Sequence, residues 1–470
     1  MQLFSAFKKK PLSKSSINTA IFGDYDIRGR YPQDVNEEIF FMLSEAIVSI
    51  LKPKSVIVGR DSRLSSQPLS RALMQGFASC AVEVIDAGLT TATQIAWIAR
   101  KHQCAACMVT ASHNPAPDNG IKLYNGTHGA VYSSNGMEDI QREFVSLYAA
   151  RLAQEPKGKE ENVQFQRKDF SKEYQEALLK HAASVPPRLR LALDYSSGTT
   201  GLILNDILER KRIFYATLHE RPDGHFPGHG PNPLLPESQE AISQLIRSGS
   251  FSLGALFDAD GDRVLFFDEK GRYIDYARIA ALIVEHYLPK ERKYRGVVVT
   301  VSDSKIISDV IRHHKGKVLL SPVGRTRIAP LMRTKHAFFG VERSGHYFFR
   351  DFEYEDCGIF MLFKVLSLLA EMRRPLSKLV EPYARYETLP EISIPLVPET
   401  EYEVYEAVRQ NYRSGRAHKI DGLTIELRDW WFNLRRSRTE PIWRLSLEGE
   451  KGVDLERRKT EIERIITVIR

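Results

Sequence analysis

The chain has 470 residues, a length that calls for several domains, and its 43% hydrophobic and 27% charged content is that expected of a soluble globular protein. No apolar run is long enough to cross a bilayer, so no membrane association is expected. The net charge of +8 and pI near 9.1 raise nucleic-acid binding as a reading. However, the basic residues are scattered, and many stand beside Gly, Ser and Thr in candidate anion loops. That placement suits a small phosphorylated ligand better than a duplex.

Residues 1–14 carry basic residues without a following apolar segment, so no secretion signal is expected there. Four cysteines, Cys80, Cys104, Cys107 and Cys357, are too few for a disulfide framework. Cys104 and Cys107 lie inside an apolar strand pattern and read as core rather than a redox or zinc pair. A reducing, cytoplasmic setting is the expectation.

In chain order, Tyr25-Asp-Ile-Arg-Gly29 opens the ordered part, with glycines at 23 and 29 flanking Arg28. This is either a charged β-turn or a loop where Arg28 approaches an anion. Residues 35–51 have helical periodicity. An apolar strand over 55–59 breaks into Gly59-Arg-Asp-Ser-Arg63, and a further strand and helix follow.

The apolar run with Ala105, Ala106, Met108 and Val109 then leads into Thr110-Ala-Ser-His-Asn-Pro-Ala-Pro-Asp-Asn-Gly-Ile-Lys122. Asn, Pro, Asp and Gly build turns, so Ser112 is delivered on a loop at a strand end. Open α/β sheets keep their chemistry at such places. An ordinary Ser/Asn turn is the rival reading. A serine hydrolase pairing Ser112 with His113 is disfavoured, because neighbours on an extended chain face apart and no Gly-x-Ser-x-Gly is present.

The polar stretch 154–166 reads as a linker. A second strand–turn–helix run starts at 189, and residues 222–236, rich in Gly, Pro and His, form a long loop. The strand over 252–257 ends in Asp258-Ala-Asp-Gly-Asp-Arg263. Three carboxylates alternating with small residues turn toward a common point and repel unless a hard divalent cation such as Mg²⁺ joins them. An EF-hand is rejected, since its sixth position needs Gly and here holds Arg263.

A third α/β run from about 272 holds a strand over 296–301, a helix over 305–313 and the turn 321–327. It reaches Phe339-Gly-Val-Glu-Arg-Ser-Gly-His346. In an extended loop Glu342, Ser344 and His346 point one way, suiting vicinal sugar hydroxyls; a satisfied surface turn is the alternative. From 390 the pattern becomes α+β. Strands over 422–428 and 443–447 bracket Arg435-Arg-Ser-Arg-Thr-Glu-Pro441, a loop for phosphate oxygens or for surface ion pairs, and a helix over 454–468 follows.

These motifs, in this order and over almost the whole chain, resemble the α-D-phosphohexomutase superfamily. Tyr25-Asp-Ile-Arg-Gly29 and Ser344-Gly-His346 look most like its phosphomannomutase/phosphoglucomutase branch. The resemblance implies an α/β protein with three similar mixed α/β domains and a smaller C-terminal α+β domain around a central cleft. The expected domains are residues 1–155 with the serine loop, 156–272 with the metal loop, 273–385 with the sugar loop and 386–470 with the phosphate loop.

Ser112 then matches the phosphorylated serine. Asp258, Asp260 and Asp262 match the Mg²⁺ ligands, with the phosphate on Ser112 as a further ligand. Arg28, Lys122 and Arg263 match active-site positions for charge stabilisation and proton transfer. Glu342, Ser344 and His346 match the sugar loop, and Arg435, Ser437 and Thr439 the phosphate clamp.

The implied activity interconverts hexose 6-phosphate and hexose 1-phosphate, mannose or glucose, with a hexose 1,6-bisphosphate as intermediate and activator. Partners are small hexose phosphates, with no nucleic acid, in a monomer or homodimer. A phosphoglucosamine mutase and a non-catalytic sugar-phosphate binder are the alternatives. Val341, Arg343 and Arg438 depart from the family pattern and bear on substrate preference.

Overall fold

Four β-sheets follow one another along the chain, in a computed structural model that describes residues 18–152, 164–182, 185–437 and 441–469. The first sheet contains β1 (Ile27–Arg30), β2 (Ser55–Arg60), β3 (Glu83–Leu89), β4 (Ala105–Val109), β5 (Asp118–Asn125), β6 (Gly129–Ala130) and β7 (Gln166–Arg167). Its order is β1-β5-β4-β2-β3-β7, with β6 beside β5. β4, β2, β3 and β7 are parallel, whereas β5 runs antiparallel to both β4 and β1. Every residue of β4 is buried, as expected for a central strand covered on both faces.

The second sheet, β8 (Arg190–Asp194), β9 (Phe214–Leu218), β10 (Leu253–Phe257), β11 (Val264–Phe267) and β12 (Tyr273–Ile274), has the order β12-β11-β10-β8-β9. The third, β13 (Gly296–Thr300), β14 (Lys317–Ser321), β15 (Phe339–Glu342) and β16 (His346–Phe349), runs β14-β13-β15-β16. The fourth is antiparallel and holds β17 (Tyr386–Thr388), β18 (Ile392–Pro395), β19 (Arg416–His418), β20 (Leu423–Glu426), β21 (Trp430–Arg436) and β22 (Ile442–Glu450). Three mixed α/β domains and a C-terminal α+β domain are thus present.

Local signals explain where the helices begin and end. Helix Glu37–Leu51 starts where the Asn36 side chain accepts from Ile39 N, and it stops at Lys52 in the left-handed region. Helix Ala92–His102 is capped by Thr91, which accepts from Gln94 N. Helix Gly358–Met372 is apolar nearly all round and buried along most of its length, the pattern of an internal helix.

Two strands cross the sequence-based domain limits. β7 pairs with β3, so the first sheet continues beyond residue 155. β12 pairs with β11, so the second continues beyond 272. Much of the linker expected over 154–166 lies outside the described residues.

One core joins the three α/β domains: Ile57 and Met108 from the first, Leu191 and Phe257 from the second, and Val297 and Phe339 from the third all belong to it. Burial in this shared core fixes the three sheets relative to one another. The fourth domain has a core of its own around Phe432, Trp443 and Ile462. Polar contacts attach it to the third: Lys305 N donates to Glu448 Oε1 (2.8 Å), Val323 N to Asp421 Oδ2 (2.9 Å) and Arg343 to Leu389 O (2.7 Å).

Candidate active site

Ser112 stands just beyond the end of β4 with φ +52°, a left-handed conformation that side-chain-bearing residues adopt at a cost. The Thr110 hydroxyl holds this turn by accepting from Ser112 N at 2.8 Å. Beneath it lies Arg63, fully buried, which donates to the carbonyls of Ser112, Asn114, Pro115 and Asp118 and pairs with Asp61. A guanidinium presents five N–H donors in a fixed fork, and here that fork gathers the serine loop. Arg28 donates to Ala111 O and Asn114 Oδ1 from the other side, and its Nε pairs with Asp26 at 2.7 Å.

The left-handed turn corrects the expectation for His113. The chain is not extended there, so the two neighbours do not face apart: His113 Nδ1 lies 3.5 Å from Ser112 Oγ. Burial, with the adjacent Arg263 and Arg28 charges, holds this imidazole well below its usual range and hence uncharged.

The acidic loop lies between β10 and β11. Gly261, at φ +76°, lets it turn, and a Cβ there would meet Thr200 Oγ1 at 2.6 Å. Ser112 Oγ donates to Asp258 Oδ2 at 2.7 Å. Lys122 Nζ donates to Asp260 Oδ2 at 2.6 Å and to Asp262 Oδ2 at 2.5 Å. Lys122 belongs to β5 rather than to a continuing loop, because Asp118 onward pairs with β4 and β1. Arg263 Nε stands 3.9 Å from both Asp258 Oδ2 and Asp262 Oδ1.

Burial is the largest influence on Asp258, Asp262 and Lys122. It raises Asp258 well above the usual carboxylate range, helped by the charges of Asp262 and Asp260. At Asp262 burial acts the same way but is outweighed by Lys122, His346 and Arg325, leaving this carboxyl well below its normal range. Lys122 is lowered by burial but raised more by Asp260 and Asp262, so it stays cationic.

The third domain adds Arg325, which follows Gly324 beyond β14. It donates to Asp262 Oδ2 at 2.9 Å and to the Tyr124 hydroxyl at 3.3 Å, and lies 3.7 Å from Asp356. One side chain therefore touches all three α/β domains. His346 Nδ1 is 2.7 Å from Asp356 Oδ2 and 3.8 Å from Asp262 Oδ1.

The sugar-loop expectation of one extended segment does not hold. Glu342 and His346 are cross-strand partners of the tight β15–β16 hairpin, and Ser344 sits in its turn next to Gly345 at φ +90°. Glu342 and His346 share a face through strand pairing rather than through alternation.

Arg435 lies on β21, not in a loop, and donates to Glu391 at 2.9 Å. Its strand was missed because its aromatic residues precede a run of arginines. Ser437 N donates to Ile442 O at 2.8 Å. Thr439 and Arg438 lie outside the described residues. The structure thus brings Ser112, Lys122, Arg263, the three aspartates and His346 together, with Arg28 bracing the serine loop and Arg435 on the separate fourth sheet.

Asp61, Arg63, Thr110 and Arg325 fall in segments the sequence marks as turns but carry no site role there, and Asp356 lies outside them. Each stands at a strand end or beside a helix start, and a charged residue directly before the apolar run from Cys357 was the one visible hint of Asp356.

The three loop aspartates fit a hard divalent cation. Their oxygens come within 4.8 Å of one another, all donors are oxygen, and Asp260 Oδ1 and Asp262 Oδ1 are buried without a hydrogen-bond partner. Buried acceptors in that state call for a counter-charge.

Family models described as phosphoglucomutase/phosphomannomutase, alpha/beta/alpha domains I, II and III, match residues 19–150, 172–271 and 275–386. The chain is 31% identical over 460 residues to a phosphomannomutase of Escherichia coli, covering 94% of this chain and 97% of that protein. It is also 31% identical over 465 residues to the phosphohexose mutases of Xanthomonas campestris pv. campestris, covering 95% and 98%. In fold it is similar to a phosphoglucomutase/phosphomannomutase family protein from Burkholderia thailandensis, with a TM-score of 0.84 at 24% identity over 97% of this chain and 98% of that one.

Proposed function

Because the chain belongs to the α-D-phosphohexomutase superfamily, in its phosphomannomutase/phosphoglucomutase branch, we propose that it interconverts hexose 6-phosphate and hexose 1-phosphate. The substrate would be mannose or glucose phosphate, handled through a phosphoserine at Ser112 and a hexose 1,6-bisphosphate. The observation that carries this reading is the 2.7 Å contact of Ser112 Oγ with the acidic loop, flanked by Lys122 and Arg263.

In the forward half, the bond between phosphorus and Ser112 Oγ breaks as a bond to the free sugar hydroxyl forms. That hydroxyl loses its proton, and Ser112 Oγ regains one. In the return half, the bond between the other phosphorus and its sugar oxygen breaks as a bond to Ser112 Oγ forms; Oγ gives its proton up and the released sugar oxygen takes one. The proton acceptors bordering Oγ are Asp258 Oδ2 and the uncharged His113, at 2.7 and 3.5 Å.

Lys122, Arg263 and Arg28 place positive charge around the phosphoryl oxygens, where the transition state spreads its negative charge. Lys122 acts here as a charge, since two carboxylates keep it protonated. Asp258, Asp260 and Asp262 would hold Mg²⁺, which when bound supplies further charge stabilisation at those oxygens. Glu342, Ser344 and His346 would orient the sugar, and Arg435, Ser437 and Thr439 would hold the phosphate that is not being transferred.

A panel of mannose, glucose and glucosamine 1-phosphates tests this, each with Mg²⁺ and a trace of hexose 1,6-bisphosphate. Isomerisation of the mannose or glucose ester is expected. Turnover confined to glucosamine phosphate would replace the substrate assignment. Binding without isomerisation of any ester would leave a non-catalytic sugar-phosphate binder.

A further inference from the structure

A second cluster of ligand-type side chains lies in the second domain, on residues with no part in the phosphoryl-transfer site. Asp194 ends β8, and His219 directly follows the adjacent parallel strand β9; Asp194 and Leu218 are register partners. His229 comes from the long Gly/Pro/His-rich loop before helix Pro236–Ser248. His219 Nδ1 lies 3.1 Å from both Asp194 oxygens, and His229 Nε2 lies 3.1 Å from Asp194 Oδ2. The two rings meet edge to face with centroids 4.5 Å apart.

The hydrogen bonding of His229 fixes how its ring is presented to Asp194. Its Nδ1 is 2.8 Å from Gly230 O, and a carbonyl only accepts, so the ring proton resides on Nδ1. Nε2 faces a carboxylate oxygen at 3.1 Å: the imidazolium donates a second proton there, and the neutral ring offers its lone pair to a metal ion taking that proton's place. A backbone carbonyl holding the far nitrogen of a histidine is also the usual support of a metal-bound imidazole.

The donor set has two imidazole nitrogens and one carboxylate. Donor separations of 3.1 Å approach the edge of a tetrahedron with metal–ligand bonds of about 2.0–2.1 Å. Asp194 is fully buried, whereas the His219 side chain is 21% exposed, so solvent can reach one side of the cluster. Gly228, at φ +102°, makes room: a Cβ there would stand 2.2 Å from His219 Nε2.

We propose that Asp194, His219 and His229 form a binding site for a late first-row divalent metal, Zn²⁺ above all, with water in the fourth position. Nitrogen donors favour such an ion over Mg²⁺, which belongs with the all-oxygen loop.

The metal would pin the 219–230 loop to the end of β8. That loop places the Phe226 ring 5.2 Å from the Arg63 guanidinium, and Arg63 donates to Ser112 O at 2.7 Å. The site is thus a brace two residues removed from the phosphorylated serine.

The test uses the full chain, stripped with EDTA and returned to Mg²⁺-containing buffer. It should bind one equivalent of Zn²⁺, and Co²⁺ in its place should give the visible absorption of a four-coordinate nitrogen/oxygen site. His229→Gln and His219→Gln should each weaken Co²⁺ binding more than about tenfold, while Asp260→Asn leaves the cobalt spectrum unchanged. His219→Gln, at the partly exposed position, decides the matter if His229→Gln does not fold. No uptake by the wild type, a spectrum that survives both histidine changes, or its loss in Asp260→Asn would overturn the assignment.

Discussion

Ser112 Oγ and Asp258 Oδ2 are 2.7 Å apart although 146 positions separate them in the chain. The contact joins a strand end of the first sheet to a strand end of the second, across the core that the three α/β domains share. Ala92 N donates to Asp260 O at 2.9 Å and adds a backbone tie between the same domains. The candidate chemistry is therefore assembled at an interface between domains.

Ser112→Ala should remove turnover and the phosphate detected by intact mass, while the protein remains folded. Ser112→Gly should be equally inactive but more stable than the alanine variant by about 1 kcal/mol, because glycine tolerates the left-handed backbone at 112. Chemical denaturation of the two variants makes the comparison. Near-full turnover by the alanine variant would sink the phosphoserine mechanism.

Asp260→Asn should shift Mg²⁺ activation to higher concentration while leaving hexose-phosphate affinity little changed. The substitution removes one of three anionic oxygen donors, whereas the proposed sugar contacts lie on another sheet. Superimposable Mg²⁺ titrations of wild type and variant would refute the loop's assignment.

Arg63→Lys keeps the charge and loses the fork. A lysine cannot reach the carbonyls of Ser112, Asn114, Pro115 and Asp118 together, so buried acceptors are left unpaired at a cost of roughly 2–3 kcal/mol. Denaturant unfolding should show that loss, and proteolysis should cut the 112–118 loop faster. Wild-type stability in the lysine variant would show that the carbonyl clamp is dispensable.

Asp303 gives a pH dependence. Burial, with a smaller contribution from Glu342, raises its carboxyl to about 7 against the opposing hydrogen bonds from Thr300. A carboxyl near 3.9 when unfolded then takes up a proton on folding. Its contribution is complete below about pH 4 and is lost as pH rises through about 7, for a total of roughly 4 kcal/mol. Stability should fall by about 1.4 kcal/mol per pH unit across that window from this group. Asp303→Asn should flatten that slope, and parallel profiles for wild type and variant would show that the carboxyl is ionised throughout.

The places where the chain carries chemistry were legible in order. Turn-forming residues after an apolar run located Ser112, and alternation of carboxylates with small residues located the acidic loop. Both patterns are short-range: they depend on backbone preference and on charge repulsion among near neighbours. The same short range accounts for the errors. Lys122 read as loop because Asn119 and Gly120 are turn residues, yet the pairing of β5 with β1 and β4 makes it strand. His113 was set aside on an extended backbone that the φ of Ser112 does not adopt.

By itself, then, the amino-acid sequence determined the α/β alternation, the change to α+β near residue 390 and the residue types offered at each loop. Tertiary structure alone decided which charges turn inward and meet. Arg325 reaches Asp262, Asp356 and Tyr124, and Arg63 gathers a loop about 50 positions away. The physical reason is that local preference specifies where a chain reverses, whereas the direction and partner of a long charged side chain depend on strand register and on burial against distant segments.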